Sequence, residues 1–365
     1  MDVEKRKATG LQLLRQLAEA HGAPGCEQAL RRIFRDTVSG PVRTDPMGNI
    51  IREKEGLAAG PRVMVTAHMD EVGFAVQSVT RTGLLKFVPL GGWWGHTLLA
   101  QRVCVRTQQG TEVLGVIGAK PPHFLSESEK EKVMKLEDMF IDVGASSADD
   151  VRTRFGIRLG DSVVPDSTFT PLFNPDFLLC KAFDNRAGMA LTLHALLEME
   201  GISHPNTIVG VGTVQEEVGV RGAQAAAYGV KPDAAVVLEG TPADDLPGFS
   251  EEEQQGALGK GVQIRILDPS AIMNRRLVQY AIKVAEAHNI PYQLAVRKSG
   301  GTDARAIHLS RTGVPTVVLG VPARYIHTHN SIIHMSDYLS ALELVVQLLR
   351  SLDSSTVSGF TAYED

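Results

Sequence analysis

Four stretches of the chain are largely apolar, and three of them stop abruptly at polar residues. They are Pro61 to His68 (PRVMVTAH), Val209 to Val214 before Gln215, Glu216 and Glu217, Asp233 to Leu238 before Glu239, and Val314 to Leu319. Short continuous runs of this kind, rich in valine and bounded by glycine, read as strands buried on both faces. Leu178 to Ala182, Gly261 to Leu267 and Pro291 to Val296 read as further strands, and Val42 to Glu55 as two short ones around the turn Asp45 to Asn49. Between these runs the spacing becomes helical. Leu11, Leu14, Leu17 and Ala18 share one face, and Leu30, Ile33 and Phe34 face inward from a helix over about Cys26 to Thr37. Further helices are predicted over Met189 to Met199, Ala223 to Gly229, Ala271 to Asn289, Ala304 to Ser310 and Tyr338 to Leu352, the last capped by Asp337. The tail from Asp353 to Asp365 is polar and reads as loose.

The texture changes between Val72 and Pro165. Short β-rich runs appear at Gly73 to Val79, Leu84 to Val88, Arg102 to Thr107, Val113 to Ile117 and Met139 to Val143, separated by turn residues. Their regular spacing predicts a small all-β unit, a barrel or sandwich, inserted into an α/β chain. Lys120 to Glu137 is strongly charged and reads as a long exposed loop. His96 and His123 in this region, and His329 and His334 near the end of the chain, read as structural or surface residues.

Composition narrows the functional classes. The 365-residue chain is 43% hydrophobic and 22% charged, with a net charge of −5, which is ordinary for a globular protein and argues against a dedicated nucleic-acid binder. No stretch reaches the roughly 18 apolar residues of a membrane span, and the N-terminus carries no signal-peptide pattern. Cys26, Cys104 and Cys180 are widely spaced and form no CxxC, which fits a reducing, cytoplasmic location. HExxH, GxSxG and Walker A motifs are all missing, and Gly210-Val211-Gly212 lacks the third glycine of a dinucleotide fingerprint.

The candidate chemistry lies just beyond the strands. His68, Asp184, the Glu216/Glu217 pair, Glu239 and His327 each follow a run that reads as a buried strand. In open α/β sheets, sites collect at the carboxyl ends of strands. Two imidazoles with several carboxylates suit zinc, cobalt or manganese better than calcium, which prefers an all-oxygen shell. Asp70, two residues after His68, is of the type that fixes a ligating imidazole through its other nitrogen. Each residue also has a plainer reading: Asp184 as a helix N-cap, His68 and Asp70 as a structural hydrogen bond, and Glu216 and Glu217 as a solvated charge pair.

Taken together, the motifs are more specific. AHMDEVGF from Ala67, IGAKPPH from Ile117, FIDVGASS from Phe140, GDSVVPD from Gly160, AFDNRAG from Ala182, VQEEVGVRGA from Val214, SGGTDA from Ser299 and RYIHTH from Arg324 occur in one order along nearly the whole chain. In this the sequence resembles the M42 family of metallo-aminopeptidases, the group of TET and glutamyl aminopeptidases. The resemblance implies a discontinuous catalytic domain over residues 1–71 and 166–365, with a mixed sheet and helices on both faces, interrupted at 72–165 by a β-rich dimerisation domain. It implies two divalent ions per subunit, zinc or cobalt first and manganese as a third candidate. Their ligands would be His68, Asp184, Glu217, Glu239 and His327, with Asp184 bridging. Glu216 would be the general base and Asp70 would orient His68. A cis peptide is implied after Asp184, and Glu239 stands where many relatives carry aspartate. The substrates implied are peptides with a free N-terminus, the partners further copies of the chain as dimers or a tetrahedral dodecamer, and neither nucleic acid nor membrane is involved. Gly300, Gly301 and Thr302 fall where relatives line the substrate pocket.

Three other functions use the same residues differently. A metal-dependent deacylase of small amides would need the same site. An endoglucanase-type glycosidase needs two acids ~5–5.5 Å apart across a sugar, and adjacent strand residues such as Glu216 and Glu217 point to opposite faces. A non-catalytic assembly protein would have no use for candidates at every ligand position.

Overall fold

The strands Thr207–Thr213, Arg62–His68, Ala234–Pro242 and Thr316–Arg324 lie side by side and parallel, in that order. In this computed structural model, which describes residues 3–56 and 60–363, they form the middle of a 12-stranded mixed sheet, as counted among the described residues. Their side chains are buried on both faces, which is why the sequence there is continuously apolar rather than alternating. An antiparallel hairpin, Val42–Thr44 and Ile50–Lys54, extends one edge through Thr207–Thr213. On the other side, Thr316–Arg324 shares its edge between Val262–Asp268 and the short strand Ser331–His334. The latter leads on to Phe177–Cys180 and Thr170–Pro171.

Helices cover the sheet. Phe183–Glu198 is buried on nearly every side and packs on Ala234–Pro242, Arg62–His68 and the N-terminal helix Val3–Glu19. This gives one contiguous apolar core for the α/β body. The β-rich segment is a closed barrel of six strands between Gly73 and Pro165, antiparallel throughout, with a separate core around Phe74, Phe87, Val105 and Ile141. Closure removes the free edges that such short strands would otherwise expose. Residues 120–137 run over its surface as short helical turns and are mostly exposed. No helix among the described residues is long and apolar enough to cross a membrane, and the three cysteines are unpaired.

The structure corrects the sequence reading at several ends. The helix expected from Ala271 begins only at Arg275. Asp268 accepts hydrogen bonds from the Ser270 and Ala271 amides and closes a turn, so that Ala271–Ile272 returns as a strand against Val262–Asp268. Asn274 then caps the helix through the Leu277 amide. Asp337 is not the cap of the last long helix. His334 has that place, while the buried Asp337 carboxylate accepts from the Gly259 and Gly261 amides, both at 2.7 Å. The tail is not loose throughout, because Asp353 caps a further helix, Ser354–Gly359; residues 364–365 lie outside the described residues. The strand read as ending before Glu239 continues to Pro242, which makes Glu239 an in-strand residue.

Candidate metal centre

Each parallel strand delivers its polar residue to the same end of the sheet. His68 is the last residue of its strand and pairs in register with Thr213, so the loop carrying Glu216 and Glu217 starts beside it. Glu239 points from the next strand, and His327 follows Thr316–Arg324 with two residues between. Asp184 arrives from the other direction, at the start of Phe183–Glu198, where the helix is interrupted at Asp184 and Asn185 and the peptide between them is cis.

Asp184 stands between the two imidazoles. Its Oδ1 lies 3.1 Å from His68 Nε2 and its Oδ2 3.4 Å from His327 Nε2. Glu239 Oε2 lies 3.7 Å from His68 Nε2, and Glu217 Oε2 lies 3.4 Å from His327 Nε2. The nitrogen on the far side of each ring is held by a carbonyl. His68 Nδ1–H donates to the Asp70 carbonyl at 3.1 Å, and His327 Nδ1–H donates to the Gly92 carbonyl at 2.8 Å. Both rings therefore turn Nε2 toward the carboxylates, the arrangement that an imidazole ligand needs.

The two adjacent glutamates are not on a strand. They occupy a tight loop in which Gln215 and Val220, on either side, adopt φ of 56° and 57° and Gly219 a φ of 123°. For β-branched Val220 this left-handed backbone is costly and persists only because its surroundings impose it. Asp70 is one part of that surrounding structure. One of its carboxylate oxygens accepts from the Glu216 amide and the other from the Glu217 amide, each at 3.0 Å, and the carboxylate lies 3.6 Å from His68 Nδ1. Asp70 thus holds both the imidazole and the glutamate loop, whereas the sequence suggested only the first. The next residue, Glu71, is buried under Lys181 and Arg186, at 2.7 and 2.8 Å, which fixes the strand end from behind.

Asn185 was not anticipated. Its side-chain NH2 donates to the Leu238 carbonyl at 2.8 Å, and its Oδ1 accepts from the Gly240 amide at 3.1 Å. It therefore clasps the backbone on both sides of Glu239 while being bonded to Asp184. Asp303, from the SGGTDA stretch, is also buried here and is hydrogen-bonded to Thr213. Asn185 follows Asp184 directly, so its proximity was readable, but the clasp depends on strand order.

The electrostatics are those of crowded acids. Burial pushes the Glu217 carboxyl up to about 8 against the pull of His327, with Asp184 adding to the rise. Burial likewise pushes Glu239 well above the usual carboxylate range, opposed by His68 and reinforced by Asp184 and Glu216. Glu216 is raised in the same way, with Asp303 and Glu217 as contributors. Burial works against charge on His327, yet its hydrogen bond with Asp184 and the field of Glu217 lift it to about 9. Burial also opposes ionisation of Asp184, but hydrogen bonds with His327 and His68 hold its carboxyl below the usual range. Buried acids outnumber the imidazoles, and Glu217 Oε1 and Glu239 Oε1 are buried without any partner. Imidazole nitrogens, surplus carboxylates and unpartnered oxygens together fit divalent cations with mixed nitrogen and oxygen ligands.

Donor atoms that lie within 4.8 Å of one another form three groups: His68, Asp184 and Glu239; Asp184, Glu217 and His327; and His68, Glu216 and Glu217. The first two share Asp184. They open onto a cavity of about 340 Å³ whose lining also includes Arg265, Arg297 and Arg305, three residues with no recognisable signal in the sequence. Gly300, Gly301 and Thr302 line it as well.

Comparison with known proteins shows which family the chain resembles. The family model described as M42 glutamyl aminopeptidase matches residues 48–344. The glutamyl aminopeptidase of Lactococcus lactis is 34% identical over 87% of this chain and 89% of its own length. The lysyl aminopeptidase of Pyrococcus furiosus is 32% identical over 93% of this chain and 97% of its own. Among solved structures, a TET aminopeptidase from a Thaumarchaeota archaeon superimposes with a TM-score of 0.93 at 41% identity, covering 97% of this chain and 99% of that one.

Proposed function

This chain belongs to the M42 aminopeptidase family and is a peptidase, and from that premise we propose that it removes N-terminal residues from peptides at a two-cation centre with Glu216 as general base. The observation that carries the reading is the pair of donor groups that share Asp184 and leave Glu216 outside both. The third group includes Glu216, but its Oε2 is 3.9 Å from His68 Nε2, farther than either Asp184 oxygen from its imidazole. His68, Asp184 and Glu239 would hold one ion, and Asp184, Glu217 and His327 the other.

Divalent ions bound there would acidify water and polarise the scissile carbonyl. Glu216 takes the proton of the attacking water and returns it to the leaving amine, a role suited to a carboxyl whose proton affinity is raised by burial. Asp70 keeps Glu216 and Glu217 in fixed relation to His68 through the two loop amides. The acidic wall of the cavity attracts a free α-ammonium, which supports removal of one residue at a time.

The barrel, residues 72–165 of the proposed domain division, is the proposed self-association surface. Leu114 and Val116 are 55% and 43% exposed on one barrel strand, an apolar face that a second copy of the chain would cover.

The test is Glu216→Gln. The variant is expected to keep its metal content, measured by elemental analysis, and to lose about 10²–10⁴-fold in turnover of aminoacyl reporter substrates. Full metal-dependent peptidase activity in this variant would overturn the assignment of the base.

A further inference from the structure

The lining of the cavity beside the metal centre carries groups of opposite charge. His68, Asp184, Glu216 and Glu239 make up its acidic part, and Arg265, Arg297 and Arg305 contribute an arginine wall. Among the described residues no ion pair joins these arginines to the acids of the metal centre. Arg297 pairs with Asp244 at 2.6 Å and Arg265 with Asp268 at 3.1 Å, but neither aspartate lines the cavity. Each is engaged elsewhere as well: Asp244 accepts from the Gln255 and Gly256 amides, and Asp268 from the Ser270 and Ala271 amides. These aspartates are thus partly satisfied by backbone, and Arg297 Nη2 also donates to the Pro242 carbonyl at 2.9 Å. Arg265 and Arg297 each keep a buried Nε with no partner. Arg305 is exposed and forms no ion pair among the described residues.

Resting on the aminopeptidase reading, we propose that this wall is a side-chain subsite for an anionic N-terminal residue, glutamate or aspartate, with Arg297, Arg265 and Arg305 as its specificity determinants. The α-ammonium of such a residue faces the acids and its side-chain carboxylate faces the guanidinium groups, which present planar, fork-like donors matched to a carboxylate. A lysyl side chain would set like charge against like, and an uncharged one would leave Arg305 without a counter-charge. Family membership does not decide the matter, because the relatives include both a glutamyl and a lysyl aminopeptidase. A carboxylate could also reach this wall from the C-terminus of a very short peptide, so the experiment separates the two sources.

The full-length protein, loaded with zinc, cobalt or manganese, is assayed on the p-nitroanilides of glutamate, glutamine, leucine and lysine, and on Leu-Gly beside leucyl-glycinamide. Glutamate is expected to exceed glutamine in kcat/KM by about tenfold or more, the scale of one charge-assisted hydrogen bond, with lysine poorest. In Arg305→Gln the glutamate-to-glutamine ratio falls toward one, through KM rather than kcat. In Arg305→Glu lysine gains on glutamate. Equal rates for glutamate, glutamine and leucine overturn the proposal and leave the aminopeptidase reading standing. So does a preference for Leu-Gly over its amide without a preference for glutamate. If no aminoacyl substrate is hydrolysed with any metal, the aminopeptidase reading fails instead. Calorimetric binding of L-glutamate against L-glutamine then decides the subsite, and equal affinities overturn it.

Discussion

Asp70→Asn is the most informative single perturbation. Asparagine has the same shape, but one carboxylate oxygen becomes an NH2 group. In the native loop the two oxygens accept separately from the Glu216 and Glu217 amides, both at 3.0 Å, and the side chain is completely buried. The variant can satisfy one of these amides and turns a donor toward the other. The lost bond to a charged acceptor costs about 1.5–3 kcal/mol. Part of that cost appears in global stability and part in freedom of the loop that carries Glu216 and Glu217. Metal affinity is expected to fall by about 10–100-fold, the usual effect of removing a partner that orients ligands. Urea denaturation of the metal-free protein and calorimetric titration with zinc or cobalt measure the two parts. Metal affinity and unfolding free energy both equal to wild type would refute the argument that this carboxylate holds the loop.

Further predictions follow from other contacts. Gly188→Ala would place a Cβ 2.3 Å from both the Leu238 carbonyl and Asn185 Oδ1, so it should destabilise the protein by about 1–3 kcal/mol or more and weaken metal binding, as read by thermal unfolding with and without metal. His194 is buried against Tyr338, and burial lowers it from 6.5 to about 4, so the folded state favours the neutral ring. The stability it contributes is full above pH 6.5 and is lost as the pH falls toward about 4, because the unfolded chain takes up the proton first. Relative to His194→Gln, the wild type should lose up to about 3 kcal/mol over that interval, and a pH-independent difference in urea titrations would contradict the assignment. Leu114→Lys combined with Val116→Lys on the barrel should reduce the mass found by light scattering, with near-normal metal content in the separated chains.

Much of the centre was legible because its residues lie at or near one end of unmistakable strands. His68 and His327 follow valine-rich runs that only a doubly buried parallel strand explains, and those runs place their ends at one edge of the sheet. What could not be read depends on closure in space. Asp70 looked like a partner of His68 because the two are close in sequence; its bonds to the Glu216 and Glu217 amides require the parallel pairing of two strands. Asn185 clasps Glu239 only because Phe183–Glu198 packs across Ala234–Pro242. The three arginines have no common periodicity at all. The misplaced helix starts have a local cause: Asp268 and Asp337 are both short acids that accept backbone amides, and sequence spacing does not reveal which amides are in reach.

The Gly92 carbonyl that orients His327 belongs to the barrel segment, not to the sheet. Its neighbour Gly91 leaves so little room that a Cβ there would lie 3.3 Å from the Glu217 side chain and 2.7 Å from Val72. The insertion is therefore not a detachable module. Excising it to obtain a minimal catalytic core would release one imidazole and uncover one glutamate, so the excised body would be a poor chelator before it was a poor enzyme. If the barrel is a self-association surface as proposed, the same contact would couple quaternary structure to chemistry: any force that shifts the barrel is transmitted over one hydrogen bond to His327, the proposed metal ligand.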